Sequence, residues 1–248
     1  MAFSLDLTAE TRLLRGRNIE FDKIVIKNMT LGEIDDIGML EYLTVINFST
    51  LSKEKVVGRE LIAVFEEYSF FQIVVNYPQL RDSFIELLKM FTLNDGKEHS
   101  VRYVPELDIF VVSYNGVNGK ITEENFEDFL ECIRTVYNIP KVEKESERLD
   151  IDDEMADLLK EFEEAEAKVN SEIGNGITIT SIIEGVSAKH PSINLINIWD
   201  YTMYKLMRTY YRLEQIESAT NIMTGIYSGC VETKKIDLKE YHWAKKLD

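Results

Sequence analysis

A chain of 248 residues, 45% of them apolar, is long enough to bury one large core or two small ones. Its 44 acids against 28 bases give a net charge of −16, which opposes broad contact with nucleic-acid phosphates or anionic lipid. The longest apolar runs, such as Phe70-Phe71-Gln72-Ile73-Val74-Val75, fall far short of the ~20 residues a spanning helix needs, and residues 1–7 lack a secretory pattern, so a cytoplasmic setting is expected.

Residues 1–17 show no sustained hydrophobic period and read as a mobile or partner-ordered arm. Residues 19–26 partly alternate and end in a β-branched run, which predicts a strand. Thr30-Leu31-Gly32-Glu33 matches a capping box, and Ile34, Ile37, Leu40 and Leu43 follow at helical spacing, predicting a helix over about 31–48. Leu61, Val64, Phe65, Tyr68 and Phe71 continue a helical pattern over 59–77, and Pro78 restarts a helix that runs to about Phe91.

Residues 101–104 and 107–114 flank Pro105-Glu106 as a β-hairpin, followed by the turn-rich Asn115-Gly116-Val117-Asn118-Gly119. Thr122 is placed to cap the next helix, whose buried face is predicted as Phe126, Phe129, Leu130, Ile133 and Val136. Residues 141–172 hold 13 acids against five bases, half of the net negative charge, with Met155, Leu158, Leu159, Phe162, Ala165 and Val169 on one helical stripe. After Gly174-Asn175-Gly176, Thr178 or Thr180 caps a short helix carrying Ile182, Ile183 and Val186 up to His190-Pro191. The main element of the last part starts near Asn197 and carries Trp199, Met203, Leu206, Met207, Tyr210 and Leu213, with a further helix over about 218–227. The fold class is therefore α+β and mostly helical. Its expected parts are a mobile arm (1–17), an α+β module with a small hairpin (18–140), an acidic amphipathic linker helix (141–172) and an all-helical module (173–248).

Catalytic and metal chemistry find little support. His99, His190 and His242 sit in separate segments without a histidine at i+3 or i+4. His190 reads as a helix C-terminal residue, and His99 and His242 as exposed loop or tail positions. Cys132 and Cys230 lack ligand spacing and are expected as free thiols, Cys132 in a core. The loop 115–122 departs from a phosphate loop because Ile121 separates Lys120 from Thr122. Carboxylate pairs such as Asp35-Asp36 and Glu66-Glu67 read as solvated helix faces. No catalytic residue, metal or cofactor is assigned. The aromatic group around Trp199, Tyr201, Tyr204, Tyr210 and Tyr211, with Met203, Met207, Arg208 and Arg212, has the composition either of a core or of an interaction face. Trp199, Met203, Tyr210 and Tyr211 are the residues assigned to binding a protein partner or another copy of the chain.

The runs Ser181-Ile182-Ile183-Glu184-Gly185-Val186-Ser187, His190-Pro191-Ser192-Ile193-Asn194, Asn197-Ile198-Trp199-Asp200, Tyr210-Tyr211-Arg212-Leu213 and 221–229 resemble proteins from the tail gene clusters of phages and prophages of Gram-positive bacteria. Among these, the chain looks like a tail assembly chaperone. Residues 27–34 are similar to the opening helix of the same proteins. The resemblance implies a non-enzymatic helper in the host cytoplasm that binds the tape measure protein and helps polymerise tail tube subunits around it. Nucleic acid and membrane are not among the implied partners. The alternatives are a structural tail or baseplate subunit that stays in the particle, and an acidic DNA mimic. The mimic is disfavoured because half of the charge excess lies in one segment.

Limited proteolysis is expected to cut first within residues 141–172 and to leave stable fragments spanning 1–140 and 173–248. Failure of those fragments to appear would contradict the two-part layout.

Overall fold

The computed structural model describes residues 6–57, 65–94, 98–139, 178–229, 238 and 241–247. The acidic segment 141–172 therefore lies outside the described residues, as do Cys230, the 59–64 stretch and the division of the chain near residue 140. Described helices and two small antiparallel sheets make a mostly helical α+β fold.

The chain enters through α1 (Leu7–Leu14), capped by Asp6, whose Oδ1 accepts from Ala9 N at 2.6 Å. Residues 6–17 are thus not a mobile arm. Leu13 is fully buried, and the buried Asn28 amide donates to Leu13 O and Arg17 O, both at 3.4 Å. Periodicity showed no sign of this helix because only one of its leucines enters the core, and polar contacts hold the rest.

The strand expected over 19–26 is two strands, β1 (Ile19–Phe21) and β2 (Ile24–Ile26), paired antiparallel with Phe21 opposite Ile24. Asp22 and Lys23 between them have φ of 43° and 67°, the left-handed pair that closes a two-residue hairpin. The capping box is present in full: Thr30 Oγ1 accepts from Glu33 N at 3.2 Å, and Glu33 Oε2 accepts from Thr30 N at 2.9 Å. The helix expected over 31–48 divides at Gly38 (φ 104°) into α2 (Leu31–Ile37) and α3 (Met39–Asn47). A 3₁₀ turn, Phe48–Thr50, and the short α4 (Lys53–Val57) follow.

Within the next pattern, residues 65–68 form turns, and α5 (Phe70–Asn76) begins only after a second capping box formed by Ser69 and Gln72. Pro78 opens α6 (Pro78–Phe91) as expected, its missing amide costing nothing at the first helical position. A three-stranded meander then runs β3 (His99–Val104), β4 (Ile109–Tyr114) and β5 (Val117–Ile121). The stretch read as turn-rich is mostly strand, because Asn115 (φ 49°) and Gly116 (φ 79°) alone make the turn. Gly119 has a different role: a Cβ there would collide with the Ile24 side chain where β2 crosses β5. α7 (Phe126–Val136) starts after Asn125 rather than Thr122, whose backbone N–H donates to Asn125 Oδ1 at 2.8 Å. All five residues expected on its inner face are fully buried.

The core centres on Phe84 of α6, whose ring lies 4.8 Å from Phe110, 5.0 Å from Phe126 and 5.5 Å from Phe48. Beyond the undescribed segment, Thr178 caps α8 (Ile179–Lys189), which buries Ile182, Ile183 and Val186 as expected. The separate helices expected from Asn197 and over 218–227 are instead a 3₁₀ turn, Ile198–Asp200, and one uninterrupted 25-residue helix, α9 (Met203–Tyr227), capped by Thr202.

The last part joins the first through main chain. Leu31 N donates to Tyr201 O at 2.8 Å, Met203 N donates to Met29 O at 3.4 Å, and Thr30 and Thr202 form an antiparallel bridge. Ile182, Ile198, Met203 and Leu206 belong to the same buried cluster as Phe84 and Ile34. A chain cut within residues 141–172 is therefore expected to co-elute as a noncovalent complex and to separate only in denaturant. Separation in native buffer would contradict the shared core. Gly119→Ala is expected to destabilise the fold by about 1–3 kcal/mol through overpacking, read as a lower urea midpoint with unchanged slope.

Candidate interaction surface

α9 changes environment along its length. At its start Met203 is 3% exposed and Leu206 fully buried, whereas no residue from Met207 to Tyr227 is fully buried. Its apolar residues on the outer side are open to solvent: Ile216 is 41% exposed, Met223 38% and Tyr227 81%.

One side of α9 is occupied by the chain itself. Arg208, Arg212 and Gln215 recur at i, i+4 and i+7 and so share a face. Arg208 donates to Leu247 O at 3.0 Å and to Glu10 Oε1 at 2.7 Å. Arg212 donates to Trp243 O at 2.6 Å and to Lys245 O at 2.9 Å, and Gln215 donates to His242 O at 2.9 Å. As the α9 residue number rises, its partner's number falls, so residues 242–247 run antiparallel to the helix as a strap held by its carbonyl oxygens. The grip is on main chain, and the strap's Trp243 side chain stays exposed, stacked on His242. Arg208 links three elements, because the Glu10 carboxylate brings α1 to the guanidinium that also holds the strap. Between these elements lies a groove of about 480 Å³, walled by Leu14, Pro191, Leu213, Ile216 and Leu247.

The four residues assigned from sequence do not form one face. Met203, assigned to the partner-binding face, is in the core, so its side chain is covered by the chain itself. Trp199 lies on the 3₁₀ turn before the helix, with its indole N–H donating to Leu195 O at 2.9 Å. Its backbone sits against Gly32, where an added Cβ would be 3.3 Å from Trp199 O. Tyr210 donates its hydroxyl to Glu214 Oε1 at 2.6 Å, a bond that pushes the phenol up to about 12. Tyr211, 36% exposed, is its neighbour at 5.3 Å between rings. Arg208 and Arg212, grouped with the aromatics by composition, hold the strap instead. The outward apolar residues Ile216, Met223 and Tyr227 were missed, although they follow Leu213 at spacings of three, seven and four, a readable helical repeat.

Elsewhere, His99 is half-buried in β3 rather than on an exposed loop. Its Nε2 lies 2.9 Å from Thr92 Oγ1, and burial pushes its imidazole below the ordinary value. Cys132 is buried, and burial pushes its thiol well up. Among the described residues no group of three His, Cys, Asp or Glu side chains is placed to hold a metal, and no helix is long and apolar enough to cross a membrane.

A family model described as the YomV second domain matches residues 168–248, the part that contains α8, α9 and the strap. That family is associated with phages and prophages, and the match points to a phage-related protein. No curated protein and no solved structure matches the chain.

Arg212→Ala is expected to release the strap. In a Trp199→Phe chain, Trp243 is the remaining indole, and its fluorescence anisotropy should fall with little change in melting temperature. Arg208→Ala also strands the Glu10 carboxylate and is expected to cost about 1–3 kcal/mol of stability.

Proposed function

We propose that this chain is a non-enzymatic tail morphogenesis factor of a phage or prophage, which binds the tape measure protein, the tail tube protein or both during tail assembly in the host cytoplasm. The observation that carries the reading is the outer half of α9. Within the segment that matches a phage-associated domain, a helix leaves the core and presents Ile216, Met223 and Tyr227 to solvent. Exposed apolar residues on a helix suit capture of another protein's apolar helical stripe. The net charge of −16 would keep such a complex soluble.

The reading is tested by tagging the chain in cells carrying the induced phage and identifying what co-purifies. Tape measure or tail tube protein is expected with the chain, and the chain is expected to be absent from purified particles by mass spectrometry. A chain present in stoichiometric amounts in particles would overturn the helper role in favour of a structural tail subunit. Two substitutions separate binding from folding. Tyr211→Ala, at an exposed ring, should weaken capture by about thirtyfold if the ring is a hot spot, with the melting temperature nearly unchanged. Met203→Ala removes a core side chain and should cost about 2–5 kcal/mol of stability, with capture lost only alongside folding.

A further inference from the structure

We infer that two copies of this chain pair through α9 as antiparallel helices, the tip of each entering the groove at the foot of the other. Thr209, Leu213, Ile216, Thr220, Met223 and Tyr227 follow one another at spacings of four and three, the repeat that places side chains on one seam of a paired helix. Along this seam, Leu213 and Ile216 wall the groove with Leu14, Pro191 and Leu247, while Met223 and Tyr227 stand exposed at the tip. A concave half and a convex half therefore lie on one face of one helix. Residues 213 and 227 are about 21 Å apart along the axis at ~1.5 Å per residue. In an antiparallel pair centred on Thr220, Tyr227 of each copy meets Leu213 of the other, and Met223 meets Ile216. A two-fold axis fills both grooves at once, as a self-complementary interface requires.

Charge restricts where such a contact can form. Two chains of net charge −16 repel, so a contact between copies is favoured where acidic groups are absent, and the charged side chains that line the groove, Arg208 and Arg212, are basic. Residues 218–229 contain no Asp, Glu, Lys or Arg, although they are exposed or half-exposed throughout. In the antiparallel register, Glu217 faces the uncharged Met223 region of its partner, so no like charges are opposed. Two helices paired over this length bury an area near the lower bound for a specific interface, about 1,000 Å² in total, so a dissociation constant in the micromolar range is expected.

Sedimentation velocity on the full chain over a concentration series tests the inference. A monomer–dimer equilibrium is expected, and Ile216→Lys and Met223→Glu should each weaken it by about tenfold or more. Both positions are exposed, and thermal melts of each variant check that folding is kept. An equimolar mixture of the two variants should regain the dimer. The ammonium introduced at position 216 of one copy then faces the carboxylate introduced at position 223 of the other, while the second site remains native. A chain that stays monomeric throughout, or a dimer indifferent to both substitutions, overturns the pairing. Failure of the mixture to recover overturns the antiparallel register, since a parallel pair would set like residues against each other. The inference does not rest on the tail-assembly reading: capture of tail proteins by a chain that never dimerises would refute the pairing alone.

Discussion

The Thr30–Thr202 bridge sets the rest of the arrangement. Each threonine is the N-cap of a helix, Thr30 of α2 and Thr202 of α9, and the two caps lie side by side in extended conformation. Their flanking residues exchange main-chain bonds, Leu31 N to Tyr201 O and Met203 N to Met29 O. Buried amides and carbonyls must find partners, and here both helix starts satisfy each other. The consequence is geometric. Both helices leave from one anchored point, so the first turn of α9 is committed to the core through Met203 and Leu206, and its later turns have to project past the body. Gly32 permits the approach by leaving room for the Trp199 carbonyl.

Much of what depended on local chemistry was readable in the sequence, although the Ser69–Gln72 capping box and the α7 start after Asn125 were not read. The Thr30 capping box, Pro78 at the start of α6, the inner face of α7 and the Thr178 cap of α8 are each specified by a few neighbouring residues. The misses have two physical sources. Type I′ turns at Asp22-Lys23 and Asn115-Gly116 need only two residues, so hydrophobic period alone merged β1 with β2 and absorbed β5 into a loop, although Asn-Gly is itself a strong hairpin signal. Other features are tertiary. Gly119 is demanded by Ile24, nearly a hundred residues earlier, and α1 is held by Asn28 and Arg208 rather than by an apolar stripe. At the candidate surface, composition drew attention to the helix that carries the exposed apolar residues but not to those residues themselves. Composition drew attention to Trp199, which is exposed on a local turn, and to Met203, which is in the core, while the exposed Ile216 and Met223, seven residues apart on α9, were passed over.

The strap and α1 make the foot of α9 a junction instead of a free end. Arg208 and Arg212 are committed to Glu10 and to main-chain carbonyls of residues 243, 245 and 247, which leaves the binding capacity of the helix to its apolar side. A helper that must hold an apolar helical segment and then release it is served by such a surface: uncharged and carried on a strongly acidic body that resists nonspecific association. Self-pairing through the same seam would keep that surface covered until a tail protein competes for it, which links the proposed role to the inferred dimer without requiring either.

Amide hydrogen exchange along α9 tests the central claim, that the helix is anchored at one end and free at the other. At a protein concentration low enough to hold the chain monomeric, amides over residues 204–209 should exchange only as fast as the whole fold opens, since they share its core. Those over 218–227 should exchange orders of magnitude faster, by local fraying from the exposed end. Uniform protection along the helix, or faster exchange at its capped start than at its tip, would contradict the account.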